Sequence, residues 1–214
     1  MKLLITGFDP FGGATVNPAY EAVKLLPDRI AGYDIVKIEV PTVFGDDGIV
    51  LEKAIEENHP DVVICVGQAG GYSVMAVEKV AVNLIDARIP DNKGNQPFDK
   101  LICEDGETAY FAKLPVKAMV KAMKDKGIPA RLSYSAGTFV CNDLMYRLLY
   151  LIDKKYPDMR GGFVHVPYLP EQVLEMPNGT ASMSADLIAA ALEAGIEAVA
   201  ANDYDIVTAG GELN

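Results

Sequence analysis

Short β-branched runs alternate along this chain with stretches whose apolar residues recur every three or four positions. KLLITGF (2–8), YDIVKIEVP (33–41), DVVICVG (61–67), KVAVNLID (79–86), ARLSYSA (130–136) and GGFVHVP (161–167) carry the period-two or continuous apolar character of strands. NPAYEAVKLL (17–26) predicts a helix with Asn17 as its cap and Pro18 in the first turn. DDGIVLEKAIEEN (46–58) predicts a second. In LPVKAMVKAMKDKG (114–127), Val116, Met119, Val120 and Met123 share one face and Gly127 supplies the stop. Leu144, Leu148 and Leu151 make a similar stripe after Cys141. An Ala-rich helix over about 182–200 closes the series, with Ser184 as its cap and Leu187, Ala190, Ala191 and Ala194 on its buried face.

Strand and helix alternating in this way predict a three-layer α/β/α sandwich around a largely parallel mixed sheet. The segment 87–108 is the one long stretch without clear periodicity, and such a loop in a compact domain is functional or disordered. No low-complexity linker divides the chain, so residues 1–214 read as one domain.

Composition narrows the function mainly by exclusion. The formal net charge is −11, which disfavours a grip on nucleic-acid phosphates or anionic membranes, since both need clustered Lys and Arg. The opening MKLLITGFDP is closed by Gly7, Asp9 and Pro10, too soon for a signal-peptide core. No apolar run approaches bilayer length. Cys65, Cys103 and Cys141 lack CxxC spacing, which argues against a zinc site or a disulfide framework and suits a reducing cytoplasm.

Sites in open α/β sheets form at the carboxyl ends of strands. Cys141 stands at the predicted start of a helix, where backbone N–H groups and the dipole favour thiolate and could stabilise an oxyanion. The competing reading is a small core residue, as expected for Cys65 within its strand. A thiol nucleophile needs a base, and the chain has two histidines. His59, at a helix exit before Pro60, suits solvent and the dipole. His165, near the end of an apolar strand, is either a satisfied core residue or the base. Glu78 precedes an otherwise apolar run and needs a partner there; the adjacent Lys79 could be that partner. Phe8 and Phe11 flank a Gly/Pro-rich loop, GFDPFGG (7–13), and could wall a small planar ligand or anchor the loop on the core. GQAGG (67–71) lacks a phosphate-binding signature, and Gly161–Gly162 reads as a turn.

Together the segments TGFDPFGG, GQAGG, EKVAVNLIDARIPDNKGNQP, AYFAKLPVKAMV, SAGTFVCN and RGGFVHVPYLPEQ closely resemble the pyroglutamyl-peptidase I family, intracellular cysteine peptidases that remove an N-terminal pyroglutamate. The resemblance runs over roughly residues 1–173. It implies Cys141 as nucleophile, His165 as base and Glu78 as the acid that orients the imidazole. It further implies that Phe8 and Phe11 enclose the lactam ring, that Gln68, Ile89, Phe139 and Val140 line the pocket, and that Arg88 is a candidate oxyanion helper. The implied fold is an α/β/α sandwich similar to that of nucleoside phosphorylases. The implied partners are N-terminal pyroglutamyl peptides and further copies of the chain in a dimer or tetramer, with no metal or cofactor. The chain departs from the family's pattern at Tyr72 and Lys79, where relatives commonly carry Arg. Two alternatives stay open at this point: a non-catalytic relative that binds a pyroglutamyl ligand, and a nucleoside phosphorylase-like enzyme on the same fold.

Overall fold

The computed structural model describes residues 1–211. Its elements run β1 (Lys2–Phe8), α1 (Pro18–Leu25), β2 (Arg29–Ile30), β3 (Tyr33–Val40), α2 (Asp46–Asn58), β4 (Val62–Gln68), β5 (Met75–Glu78), β6 (Val80–Val82), β7 (Ala109–Phe111), α3 (Val116–Asp125), β8 (Ala130–Ser133), α4 (Val140–Lys154), β9 (Arg160–Val166) and α5 (Ala185–Ala201). Seven strands form the main sheet in the order β2-β3-β1-β4-β9-β5-β8. The neighbours β3, β1, β4 and β9 are parallel, whereas β5 runs antiparallel to β9 and β8 follows the direction of β5. Helices α2 and α4 pack together, while α5 packs with α1 and α3. The result is the expected mixed, largely parallel α/β sandwich. Among the described residues no helix is long and apolar enough to cross a membrane.

Most elements lie where the periodicity puts them, and the exceptions have identifiable causes. The predicted strand over 79–86 shrinks to Val80–Val82, and a strand that the periodicity does not mark precedes it. Met75–Glu78 belongs to the main sheet, and Val80–Val82 pairs with β7 in a separate two-stranded ribbon. Lys79 is the switch: its N–H donates to Ser133 O at 2.7 Å, and its carbonyl accepts from Ala112 N at 2.9 Å. Strand β5 shows no alternation because all four of its side chains are buried, as expected of a strand covered on both faces. The buried stripe of α5 is Ile188, Ala191, Leu192, Gly195 and Val199, with Leu187 and Ala190 exposed. Of the expected face Ala191 and Ala194 are buried and Leu187 and Ala190 are not, because runs of alanine leave the phase of the period loosely set. Ser184 does cap this helix, accepting from Leu187 N at 3.3 Å.

Gly161 and Gly162 form no turn; they begin the central strand β9. A Cβ at Gly161 would stand 2.7 Å from Ile152 Cδ1, and one at Gly162 would stand 2.8 Å from Leu114 Cδ1. The two glycines therefore allow the layers on both faces to close onto the strand. The long segment 87–108 is held by buried polar hubs rather than by periodic structure. Asn83 Oδ1 accepts from the N–H of Ile102 and Cys103. Asp91 accepts from the N–H of Phe44, Lys93 and Asn95. These bonds place Arg88 and Ile89 beside the carboxyl ends of the parallel strands.

One buried pair ties α2 to α4. Asp47, at the start of α2, is fully buried, as is Asp143 in the first turn of α4. Burial first, and then the neighbouring Asp143, hold the Asp47 carboxyl well above the usual carboxylate range. A group whose pKa is raised in the folded state contributes stability below its unfolded pKa and loses it as pH climbs toward the folded value. Asp47→Asn, which is neutral at every pH, should therefore gain on the wild type in Tm as pH rises above the ordinary carboxylate range. A Tm difference that stays constant with pH would contradict this protonation state.

Candidate active site

The site is organised by the first turn of α4, where four successive side chains take four directions. Val140 is fully buried in the core. Cys141 is half-buried and turns toward β4. Asn142, also buried, clamps the backbone of the 80–84 segment. Its Oδ1 accepts from Val82 N at 3.0 Å, and its Nδ2 donates to the carbonyls of Val82 and Leu84 at 2.9 and 3.1 Å. Asp143 accepts from Gly45 N at 3.0 Å and from Arg147 Nε at 3.0 Å. The helix start is thus pinned on both sides of the cysteine. The N–H groups of Asn142 and Asp143 turn back onto Phe139 O at 3.0 and 3.1 Å. Those of Val140 and Cys141 occupy helix positions with no intrahelical acceptor, and they are available as donors.

Cys141 is not reached from the end of a parallel strand. Strand β8 stops at Ser133 and runs opposite to β9, and residues 134–139 carry the chain across to the helix. Room for the sulfur comes from Gly67, which lies opposite His165 in the β4–β9 register. A Cβ at Gly67 would stand 2.9 Å from Cys141 Sγ and 2.7 Å from Phe163 Cζ.

His165 and Glu78 meet because β5 is antiparallel to β9. Ala76 stands opposite His165 and Glu78 opposite Phe163, so Glu78 and His165 are diagonal neighbours on one face, within reach of long side chains. His165 Nδ1 and Glu78 Oε1 are 2.8 Å apart. The carboxylate is fully buried and the imidazole 6% exposed. Among the described residues Glu78 Oε2 has no hydrogen-bond partner, which leaves the imidazole as the group that compensates this buried charge. Lys79 lies instead over the Phe111 ring, 5.8 Å from its centroid. Burial pulls the His165 pKa down. The charge and hydrogen bond of Cys141, together with the bond and charge of Glu78, outweigh it and carry the value up to about 9. The ring is flanked by Phe163 at 4.8 Å and Tyr72 at 6.3 Å between centroids. Tyr72 itself carries the Arg131 guanidinium 4.6 Å from its ring centroid, so the position that departs from the family pattern packs directly beside the imidazole.

A cleft of about 530 Å³ brings together Phe11, Gln68, Arg88, Ile89, Phe139 and Tyr168. A second hollow of about 580 Å³ shares Phe11, Gln68, Ile89 and Tyr168 with it and adds Gln172 and Met176. Phe139 is braced by Phe11 at 6.5 Å and, edge-on, by Phe44 at 5.2 Å. Two residues expected in the pocket wall lie beneath it. Phe8 is 2% exposed and packs on Phe163, and the Val140 side chain belongs to the core. His59 sits apart, at the exposed C-cap of α2. Cys65 is fully buried, and that burial pushes its thiol up to about 12. Sequence reasoning passed over Gly67, Phe163, Tyr168 and Gln172. All four lie in or next to the quoted segments, but nothing in their spacing marks a glycine that makes room for a sulfur.

A half-buried thiol against an imidazole whose far nitrogen is tied to a buried carboxylate, carried on an α/β sandwich, defines a cysteine-type hydrolase. Comparison with known proteins narrows the class. The family model for pyroglutamyl peptidase matches residues 1–202. The pyrrolidone-carboxylate peptidase of Enterococcus faecalis is 59% identical over 211 residues, covering 99% of each chain. That of Clostridium perfringens is 58% identical over 213 residues, covering 100% of both. The crystal structure of pyroglutamyl peptidase I from Bacillus amyloliquefaciens superposes with a TM-score of 0.94 at 49% identity, covering 97% of this chain and 99% of that one. The pyrrolidone carboxyl peptidase from Thermococcus litoralis gives 0.92 at 40%, covering 97% and 98%. The chain belongs to the pyroglutamyl peptidase family.

The Gly67 contact generates a direct test. Gly67→Ala forces the sulfur or the Phe163 ring to move, and overpacking of this kind costs about 1–3 kcal/mol. We expect a matching fall in thermal stability and alkylation of Cys141 by iodoacetamide slowed about tenfold, in line with a loss of about 1.4 kcal/mol from the thiol–imidazole contact. Unchanged alkylation would show that the sulfur does not depend on that space.

Proposed function

We propose that this protein hydrolyses the amide bond joining an N-terminal pyroglutamyl residue to the rest of a peptide, with Cys141 as nucleophile, His165 as proton carrier and Glu78 as the group that orients it. The observation that carries this reading is the buried 2.8 Å contact between His165 and Glu78 with Cys141 on the other side of the imidazole. Family membership and the cleft of aromatic and aliphatic side chains beside the thiol support it.

The steps follow from the geometry. Glu78 accepts from Nδ1–H, which leaves Nε2 of the ring to serve Cys141. The thiolate attacks the pyroglutamyl carbonyl, and the oxyanion that forms is met by the free N–H groups of Val140 and Cys141 at the helix start. Arg88, exposed on the cleft wall, is a candidate to assist. His165 gives its proton to the departing amine, and a thioester remains. Water, deprotonated by His165, then attacks the thioester carbonyl and releases pyroglutamate and the thiol.

Recognition suits a neutral, flat lactam. Phe11, Ile89 and Phe139 offer apolar surface for its faces, and Gln68 offers a polar group for its edge. Phe8 and Val140 support this wall from the core side. A free α-ammonium group would lose its hydration against these rings, which selects against ordinary peptide N-termini. We further propose that the whole chain, residues 1–214, works as one catalytic domain in the cytoplasm and as a homo-oligomer. Three free cysteines suit a reducing compartment. Phe98, Leu101 and Phe111, 58–65% exposed, are apolar surface of the kind that association covers.

The purified protein should release the reporter from a pyroglutamyl-aminoacyl substrate. Cys141→Ala should abolish turnover with the fold intact, and Glu78→Gln should lower kcat by about 10²- to 10⁴-fold, the range of general acid–base contributions. Full turnover by Cys141→Ala would refute the assignment. The pH profile tests the imidazole separately. Because the His165 pKa is raised to about 9, the ring keeps its proton for the leaving amine below that pH, and kcat/KM should fall as pH rises through it. Since Glu78 stabilises the protonated ring, Glu78→Gln should move this alkaline limb to lower pH. A limb that does not move would exclude the orienting role.

A further inference from the structure

We propose that Gln172 is a positioning residue that turns the Gln68 side-chain amide so that its NH2 faces the cleft, which makes this part of the substrate site a hydrogen-bond donor to a carbonyl oxygen of the bound pyroglutamyl peptide. The inference rests on the peptidase reading and adds to it the polarity of one wall and the residue that sets it.

The argument starts from backbone groups, whose donor and acceptor roles are not interchangeable. Gln172 lies in the short 3-10 turn Pro170–Val173 that follows β9. Its Oε1 accepts from Leu169 N at 2.8 Å. A backbone N–H can only donate, so this end of the amide must be the oxygen. The other end is then Nε2, which faces Val16 O at 3.4 Å, a group that can only accept. The same Nε2 lies 2.8 Å from the Gln68 side chain, and a donor there requires the Gln68 atom to be Oε1. The orientation of both amides, ordinarily ambiguous between oxygen and nitrogen, is dictated from Leu169 outward. Gln68 lines both hollows of the site. With its oxygen engaged, it has two N–H donors left for what binds there.

Gln172 also joins three segments at the carboxyl ends of the parallel strands. Val16 precedes the Asn17 cap of α1, Gln68 ends β4, and Leu169 follows β9. A purely structural role is therefore the competing explanation, and the test has to separate the two. In Gln172→Glu one carboxylate oxygen still accepts from Leu169 N, but the other is now an acceptor. Gln68 must turn over to donate to it and then shows its carbonyl oxygen to the substrate. The bond from Leu169 N survives and the long contact with Val16 O is lost, while the polarity of the site inverts; comparison with and without Gln68 separates the two effects.

The experiment compares kcat and KM of a pyroglutamyl-aminoacyl reporter for the wild type, Gln172→Glu, Gln68→Leu and the double variant. The dissociation constant of a pyroglutamyl dipeptide for the same four changes is measured calorimetrically in the Cys141→Ala background. We expect Gln172→Glu to raise KM and the dissociation constant about tenfold or more, as for a polar group left facing the wrong partner, with kcat within about threefold, the mark of lost ground-state binding. In the Gln68→Leu background the same change should have little further effect, because no amide remains to be turned. Gln68→Glu, which keeps Gln172 and its bond but shows an acceptor to the cleft, should weaken binding in the same direction, so the outcome does not depend on one variant folding. Unaltered KM in Gln172→Glu, or an equal rise with and without Gln68, would overturn the proposal. Absence of turnover in the wild type would instead sink the peptidase reading, while the calorimetric series would still report on the amide.

Discussion

The contact between Glu78 and His165 is the constraint around which the rest of this site is arranged. A carboxylate with no exposed surface is stable only if something nearby repays its lost hydration, and one imidazole nitrogen at 2.8 Å does so here. That compensation requires β5 to enter a parallel sheet in the reverse direction. The antiparallel register sets Glu78 two residues along from the residue facing His165, a diagonal that a Glu side chain can span. The chain must then leave the main sheet immediately, and it does so at Lys79, whose two backbone bonds divide between β8 and the segment leading out of β7. The short strand, its reversed direction and the split ribbon are three aspects of delivering one carboxylate to one ring.

The thiol is positioned by a different device. Helix starts are frayed and adjustable when their first side chains are free, and a nucleophile misplaced by about 1 Å can cost 10²-fold in rate. Here Val140, Asn142 and Asp143 are each committed elsewhere, to the core, to the 80–84 backbone and to Gly45 with Arg147. Cys141 is the residue of that turn left uncommitted, half-buried with its sulfur against Gly67. Its sulfur fits because Gly67 has no side chain, and the imidazole beside it is walled by Phe163, which packs in turn on Phe8. The pair is stabilised as a pair: the imidazole alone, so deeply buried, would hold its proton less tightly than in water, and it holds it more tightly only because a thiol and a carboxylate stand on its two sides.

How much of this could be read from residues alone varies with the kind of information involved. Long amphipathic helices declare themselves: α2 begins and ends where DDGIVLEKAIEEN (46–58) does, and Asn17 and Ser184 cap the helices that follow them. The thiol and the imidazole that meet in this site could also be picked out, because a cysteine at a helix start and a histidine at a strand end are rare enough to stand out. What stayed hidden depends on three-dimensional company. MAVE (75–78) has no alternation because both faces are covered, and its glutamate makes it look like a loop. The phase of an alanine-rich helix is undetermined without its neighbours, which is why Ala191 and Ala194 of the expected α5 face are buried while Leu187 and Ala190 are exposed. Gly161 and Gly162 resemble a turn in sequence, and only the side chains of Ile152 and Leu114 pressing from opposite sides reveal them as spacers. Phe8 and Phe11 look equivalent three residues apart, yet one lies under the site and the other lines it.

A last consequence concerns how an uncharged ligand can be told apart from others at all. A site for a carboxylate or an ammonium group can rely on a single opposite charge, which attracts from any angle. A neutral lactam offers only dipoles, and dipoles discriminate only when the groups facing them are oriented. Backbone amides are oriented by the fold, as at the start of α4. A side-chain amide is not, because its two ends are nearly alike in shape and can exchange at little cost. For such a group to carry information it must be locked by something that cannot itself turn. The chain of bonds from Leu169 N through Gln172 to Gln68 meets that requirement, since it ends on a peptide N–H. On this view, the apolar rings turn away charged groups, and the choice among neutral ligands rests on backbone geometry transmitted outward through one fixed side chain to another.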